Sequence, residues 1–170
     1  AFTYNNSKES AENLENELID SIISNNQIHP FLKTKLPKEI RFEKFEKLQT
    51  ILEKDLDIIV SGVSSVGIEW FVDQISKSYK KNNSIVLLTK GLSIFNNELT
   101  TLSDKIKSLL KKEGHSKINI SAIKGPCLAA GLANKMRTGT VIANKDIKES
   151  QSLKETISTN YYSTEISEDI

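Results

Sequence analysis

Leu56-Asp57-Ile58-Ile59-Val60-Ser61-Gly62-Val63, running on into Ser64-Ser65-Val66-Gly67-Ile68, is the stretch that decides the fold. An apolar run with so little alternation is the pattern of a strand buried on both faces by crossover helices. A helix is expected over 65–79, with Ile68, Phe71, Val72, Ile75 and Tyr79 on its inner side. Further along, the same alternation is expected: a strand over 84–88, a helix over 99–112, a strand over 117–123 and a short helix over 126–134. Segments at 138–144, 147–157 and 160–164 continue it. Strands separated by helices of about ten residues mean βαβ units, and those mean a mostly parallel sheet covered by helices on both faces.

Toward the N-terminus the signals are shorter. Phe2 to Tyr4 reads as a strand, Asn5-Asn6-Ser7 as its exit turn and helix cap, and 9–24 as a helix with Leu14, Leu18 and Ile22 at four-residue spacing. Pro30 and Pro37 mark 27–38 as a connector, Ile40-Arg41-Phe42 reads as a small strand, and 45–54 as a helix. The chain begins at Ala1 without a Met and enters a strand at once, which reads as trimming or as truncation.

Composition narrows the partners. A chain of 170 residues has the mass of one domain and can bury about 70% of its unfolded surface, enough for a core without staples. The single Cys127 cannot form an internal bridge, which points to a reducing, cytoplasmic compartment. A net charge of +1 gives no general pull toward nucleic acid, and of 23 basic residues only Arg41 and Arg137 are Arg. The longest apolar stretch, 58–63, falls far short of the ~20 residues a membrane span requires.

In an open α/β sheet, ligands bind beyond the carboxyl ends of the strands. Three exits here read Gly62-Val63-Ser64-Ser65-Val66-Gly67, Thr89-Lys90-Gly91 and Lys124-Gly125-Pro126-Cys127. Gly62, Gly67, Gly91, Gly125 and Gly131, five of the seven glycines, fall in or just after these segments. Glycine permits close approach of a ligand to the backbone, so one sheet edge reads as the binding edge. Gly125-Pro126 is expected to open a helix and leave N–H donors facing outward, and Lys90 could hold a substrate oxygen. His29 and His115 have no metal-ligand partner at useful spacing and read as exposed, and no metal site is expected. Cys127 reads as a small packed residue, Trp70 and Tyr79 as cover for the core, and 77–81 as a solvated helix end.

At these exits the sequence resembles the N-terminal domain of NAD(P)-dependent glycerol-3-phosphate dehydrogenases. The matching segments are Val63-Ser64-Ser65, Thr89-Lys90-Gly91, Gly125-Pro126-Cys127-Leu128-Ala129, Thr138 to Ala143, and Ser158-Thr159-Asn160-Tyr161-Tyr162 running to Glu168-Asp169, in order over essentially the whole chain. The resemblance implies an incomplete Rossmann-like three-layer sandwich over 1–170, a partial NAD(P)-binding domain. It implies that Lys90 is catalytic and contacts substrate and cofactor, that Gly125 and Cys127 lie at the substrate, and that Ala129 and Val63 to Ser65, Ser64 included, line the dinucleotide cleft. Asn5 or Asn6 falls where a ribose or 2′-phosphate is read, and the absence of an Arg there favours NAD over NADP.

The implied reaction interconverts glycerone phosphate and glycerol 3-phosphate by hydride transfer, supplying glycerol phosphate for phospholipid synthesis. The partner is a small phosphorylated substrate, and a homodimer is left open. Three departures mark a divergent member: Ser64 replaces the usual Pro, Cys127 a Ser or Thr, and Gly131 stands where an acidic residue is common. No G-x-G-x-x-G occurs, and the family's second catalytic Lys and helical domain are expected beyond Ile170. The alternatives are a sister reductase acting on another small keto or hydroxy acid, a noncatalytic dinucleotide-binding module and, more remotely, a nucleotide sugar dehydrogenase with Cys127 as nucleophile.

Overall fold

The computed structural model describes residues 8–80 and 83–170. The expected strand at 2–4, Asn5 and Asn6 therefore lie outside the described residues. The chain divides into two compact units, Ala1–Ile51 and Leu52–Ile170.

In the first unit, α1 (Lys8–Ser24) buries Ile22 and ends where Asn26 and Gln27 take positive φ of 52° and 62°. The expected connector instead holds a small hairpin, β1 (Ile28–His29) against β2 (Thr34–Lys35). His29 organises its loop, Nδ1 accepting from the N–H groups of Leu32 (3.2 Å) and Phe31 (3.3 Å). It is half-buried, against the expectation of a simply exposed side chain. Residues 40–42 are not a strand: they have no ladder partner among the described residues and lead into a 3-10 turn at Phe45–Lys47 and the short helix α2 (Leu48–Leu52).

The second unit is a three-layer α/β sandwich. Its strands are β3 (Ile58–Ser61), β4 (Ser84–Leu87), β7 (Asn119–Lys124), β8 (Thr138–Ala143) and β9 (Tyr162–Ser167), in that spatial order. Its helices are α3 (Ile68–Ser76), α4 (Leu102–Lys112), α5 (Ala129–Ala133) and α6 (Ile147–Ile157). β3, β4 and β7 run parallel, in register Ser61↔Leu87↔Ala122. All five residues expected on the inner side of the first crossover helix, Ile68, Phe71, Val72, Ile75 and Tyr79, are buried. Each contributes on the order of 1.5–3 kcal/mol of transfer free energy. The opposite face carries Val86 and Ile142 under Leu153 of α6.

The sheet is mostly parallel, as expected, and the departure from the expected pattern is a missed element. β8 pairs antiparallel with β7, while β9 is parallel to β8, so the sheet is mostly but not wholly parallel. The physical reason is helix length. Five residues of α5 rise only about 7.5 Å, little of the way back along a strand, whereas eleven residues of α6 rise about 16 Å and return the chain alongside β8. The missed element is a second hairpin, β5 (Leu92–Phe95) against β6 (Glu98–Thr101), so that α4 begins at Leu102 instead of 99. Among the described residues no helix is long and apolar enough to cross a membrane.

Candidate functional site

The parallel ladder delivers three chain exits to one edge. Leu88 N–H donates to Ser61 O (3.0 Å), extending the β3–β4 pairing by one step. Beyond Ser61 the backbone opens: nothing lies within 4 Å of where a Cβ of Gly62 would stand, and Ser64 and Ser65 are exposed. A 3-10 turn at Ser65–Gly67 then leads into α3.

Side chains lace the exits together. Thr89 Oγ1 donates to Val63 O (2.5 Å), tying the β4 exit to the β3 exit. Lys90 Nζ donates to Gly125 O (2.5 Å) and Lys124 Nζ donates to Thr89 O, tying β4 and β7 in both directions. Gly125 sits at φ +146°, and a Cβ on it would stand 3.0 Å from Thr140 Cα and 3.2 Å from Gly139 O. Only glycine lets the β7 exit pass so close to β8. Below it, Thr140 Oγ1 donates to Tyr162 Oη (2.8 Å).

Of the residues singled out from sequence, the structure brings Lys90, Gly125 and Val63 into one linked group through Thr89. Cys127 follows two residues after Gly125 and is half-buried. Ala129 is exposed at the first position of α5, and Ser64 and Ser65 stand at the β3 exit. The expectation that Gly125-Pro126 opens a helix is corrected: Leu128 is the N-cap, at φ −109° and ψ 140°, and the helix begins at Ala129. No set of donors from a helix start therefore lies at Gly125. His115 is likewise not exposed: its Nε2 lies 2.7 Å from Ser76 O and its ring packs edge-on to Tyr79 at 5.2 Å, a structural role. Among the described residues no group of three or more His, Cys, Asp or Glu is placed to hold a metal ion.

Sequence reasoning missed Thr89 and Lys124 as working parts. The signal was present in the register: continuing Leu87↔Ala122 outward sets Thr89 opposite Lys124 and Lys90 opposite Gly125. Burial, with the neighbouring Lys90 charge behind it, holds the Lys124 ammonium below the usual lysine range. Beyond the site proper, the half-exposed hairpin that follows Lys90 and Gly91 is anchored by Lys105. That buried lysine reaches Glu69 Oε1 at 2.7 Å and Ser93 Oγ at 3.3 Å.

A dinucleotide is the ligand against which this edge can be tested. Open space at Gly62 and the exposed Ser64 and Ser65 beyond it offer one wall on which an extended polar ligand could lie. The ammonium groups of Lys90 and Lys124, without an ion-pair partner among the described residues, stand at the neighbouring exits. These residues fit, although the chain contains no glycine-rich phosphate loop.

Comparison with known proteins agrees. Residues 2–150 match the family model of the NAD-dependent glycerol-3-phosphate dehydrogenase N-terminus. The NADP(+)-dependent glycerol-3-phosphate dehydrogenase of Archaeoglobus fulgidus is 29% identical over 156 residues, covering 92% of this chain and 44% of the relative. The NAD(P)+ glycerol-3-phosphate dehydrogenase of Mesoplasma florum is 34% identical over 110 residues, 64% of this chain and 32% of the relative. The chain thus spans less than half the length of these two curated relatives. Among solved structures, DsGPDH of Dunaliella salina superposes with a TM-score of 0.75 at 16% identity, over 91% of this chain and 25% of its own. The glycerol-3-phosphate dehydrogenase of Coxiella burnetii gives 0.72 at 18%, over 91% and 44%. These likenesses establish the Rossmann-like fold, and the sequence match over 2–150 establishes the lineage: the chain belongs to the NAD-dependent glycerol-3-phosphate dehydrogenase N-terminal family.

Proposed function

We propose that this chain forms the dinucleotide side of an sn-glycerol-3-phosphate dehydrogenase, interconverting glycerone phosphate and glycerol 3-phosphate by hydride transfer at C2. The observation that carries the reading is Lys90 reaching across the binding edge to Gly125 O, in a chain of this family. When bound, NAD or NADP supplies the hydride acceptor or donor. The wall formed by Gly62, Val63, Ser64 and Ser65 would hold it, and Ala129 would lie against it.

Lys90 donates to a neutral carbonyl and retains two further N–H donors. Directed at the reacting oxygen, one of them stabilises the negative charge that develops there as hydride arrives at carbon. Gly125 and, two residues on, the half-buried Cys127 would lie at the substrate. NAD is favoured over NADP because no Arg stands beside Asn5-Asn6 in the sequence to meet a 2′-phosphate. The lone Cys127 supports a cytoplasmic setting, and glycerol phosphate for phospholipid synthesis is the product use that follows from the family reading.

The test is kinetic. In the full-length gene product, Lys90→Ala is expected to lower turnover with glycerone phosphate by about 10²–10³, the usual loss on removing an electrostatic stabiliser. Near-normal rates would remove Lys90 from the reaction.

A further inference from the structure

We propose that Lys124 is a second anion-binding residue, forming with Lys90 a two-ammonium site for a phosphoryl group at the carboxyl ends of β4 and β7. The site is built by strand register. Lys124 is the last residue of β7 and half-buried; Lys90 stands three residues past the end of β4. Each side chain crosses to the other strand's exit and donates to a backbone carbonyl, Lys124 to Thr89 O and Lys90 to Gly125 O. Among the described residues neither ammonium has a carboxylate within ion-pair distance. The half-buried Lys124 charge thus stands beside the exposed charge of Lys90 with only neutral oxygens as partners, an arrangement that costs Lys124 free energy until an anion arrives.

Each ammonium has three donors and uses one on a carbonyl; with one donor of Lys90 directed at the reacting oxygen, three remain for a phosphoryl group. A phosphoryl group, with three acceptor oxygens and a charge of about −2, matches two cations better than a carboxylate does. Lys rather than Arg suits this role, because a point charge on a flexible stem can turn from carbonyl to phosphate without a planar fork to align. The choice of phosphoryl over other anions rests on the dehydrogenase reading, whereas the two-lysine site itself does not. A purely structural Lys124, one that only clamps Thr89 O, makes the contrary prediction that charge is irrelevant.

The experiment follows lysine Cε resonances of the full chain labelled with 13C-lysine during titration with inorganic phosphate, glycerol 3-phosphate, ADP-ribose or glycerol. Phosphate and glycerol 3-phosphate are expected to move the Lys90 and Lys124 signals at millimolar concentration, and glycerol to leave them in place. Lys124→Gln, which keeps a donor without the charge, is expected to weaken phosphate at least about tenfold, and Lys124→Arg no more than about threefold. A tighter response to glycerol 3-phosphate than to ADP-ribose assigns the phosphoryl group to the substrate; the reverse order assigns it to the dinucleotide, and both support the site. Equal phosphate binding by Lys124→Gln and the unaltered chain overturns it, as does an unmoved Lys124 signal or an equal response to glycerol. If phosphate moves both lysines but the full-length gene product does not oxidise glycerol 3-phosphate, only the dehydrogenase reading falls.

Discussion

Gly125 and Gly91 both occupy the positive-φ region, at +146° and +117°, yet only Gly125 has backbone close by. Alanine at either position takes on strain of order 1–3 kcal/mol. At Gly125 it also meets Thr140 Cα and Gly139 O, which cannot move without displacing β8. Gly125→Ala is therefore expected to lower Tm by more than Gly91→Ala, with each kcal/mol worth about 2–4 °C in a chain of this size. Equal shifts in calorimetric scans would dismiss the close approach. Lys124 carries a second residue-scale expectation. Its folded pKa lies below the unfolded value, so its charge costs stability at neutral pH and ceases to do so above the unfolded pKa near 10.4. Thermal unfolding should thus favour Lys124→Met over the unaltered chain more at pH 7 than at alkaline pH; a difference independent of pH would refute it. Lys90 and Gly125 were legible because residues leaving buried strands announce themselves in sequence. Thr89 and Lys124 were not, because their contacts depend on how two strands, separated by 31 intervening residues, align.

At the scale of elements, α3, β4, β7 and α6 were visible because burial writes a periodicity into the sequence. β3 was visible by its apolar run, yet it is not buried on both faces as that run predicts, for it stands at the end of the described sheet with Val60 57% exposed. The hairpin of β5 and β6 buries almost nothing: Leu92, Ile94 and Leu99 are exposed. Its signal is turn chemistry instead. Asn96-Asn97 occupies two successive positive φ values, 53° and 62°, the two-residue turn that joins tight hairpins. The start of α4 was misplaced for a related reason. Thr101-Leu102-Ser103-Asp104 is a helix-start signature, and Thr101 Oγ1 indeed accepts from Asp104 N–H at 3.1 Å. Read by apolar spacing alone, Leu99 joined the helix; read by its cap, the helix starts after Thr101. Thr101→Ala is expected to cost about 1 kcal/mol in urea unfolding, whereas Leu99→Thr, at an exposed strand position, should stay within about 0.5 kcal/mol. A larger loss at Leu99 than at Thr101 would return the helix start to 99.

At the scale of the whole molecule, recognition of an anionic ligand has to be local. The net charge is +1, so no general field draws phosphates in, and the donors available are those at the strand exits. A dinucleotide in a fold of this kind is ordinarily held by backbone N–H groups of a glycine-rich loop at a helix N-terminus. These 170 residues contain no G-x-G-x-x-G, and their glycines lie instead at exits that favour backbone approach over pyrophosphate cradling. Two ammonium groups can replace part of the charge term but not the set of convergent N–H donors. Calorimetric titration of this chain with NADH is accordingly expected to give a dissociation constant in the millimolar range, on the order of −4 kcal/mol. That residual affinity should fall with added salt, because it is carried by exposed or half-buried lysines. Micromolar binding, or binding indifferent to salt, would show that the exits at Gly62, Lys90 and Gly125 hold the dinucleotide by donors other than those the register brings together.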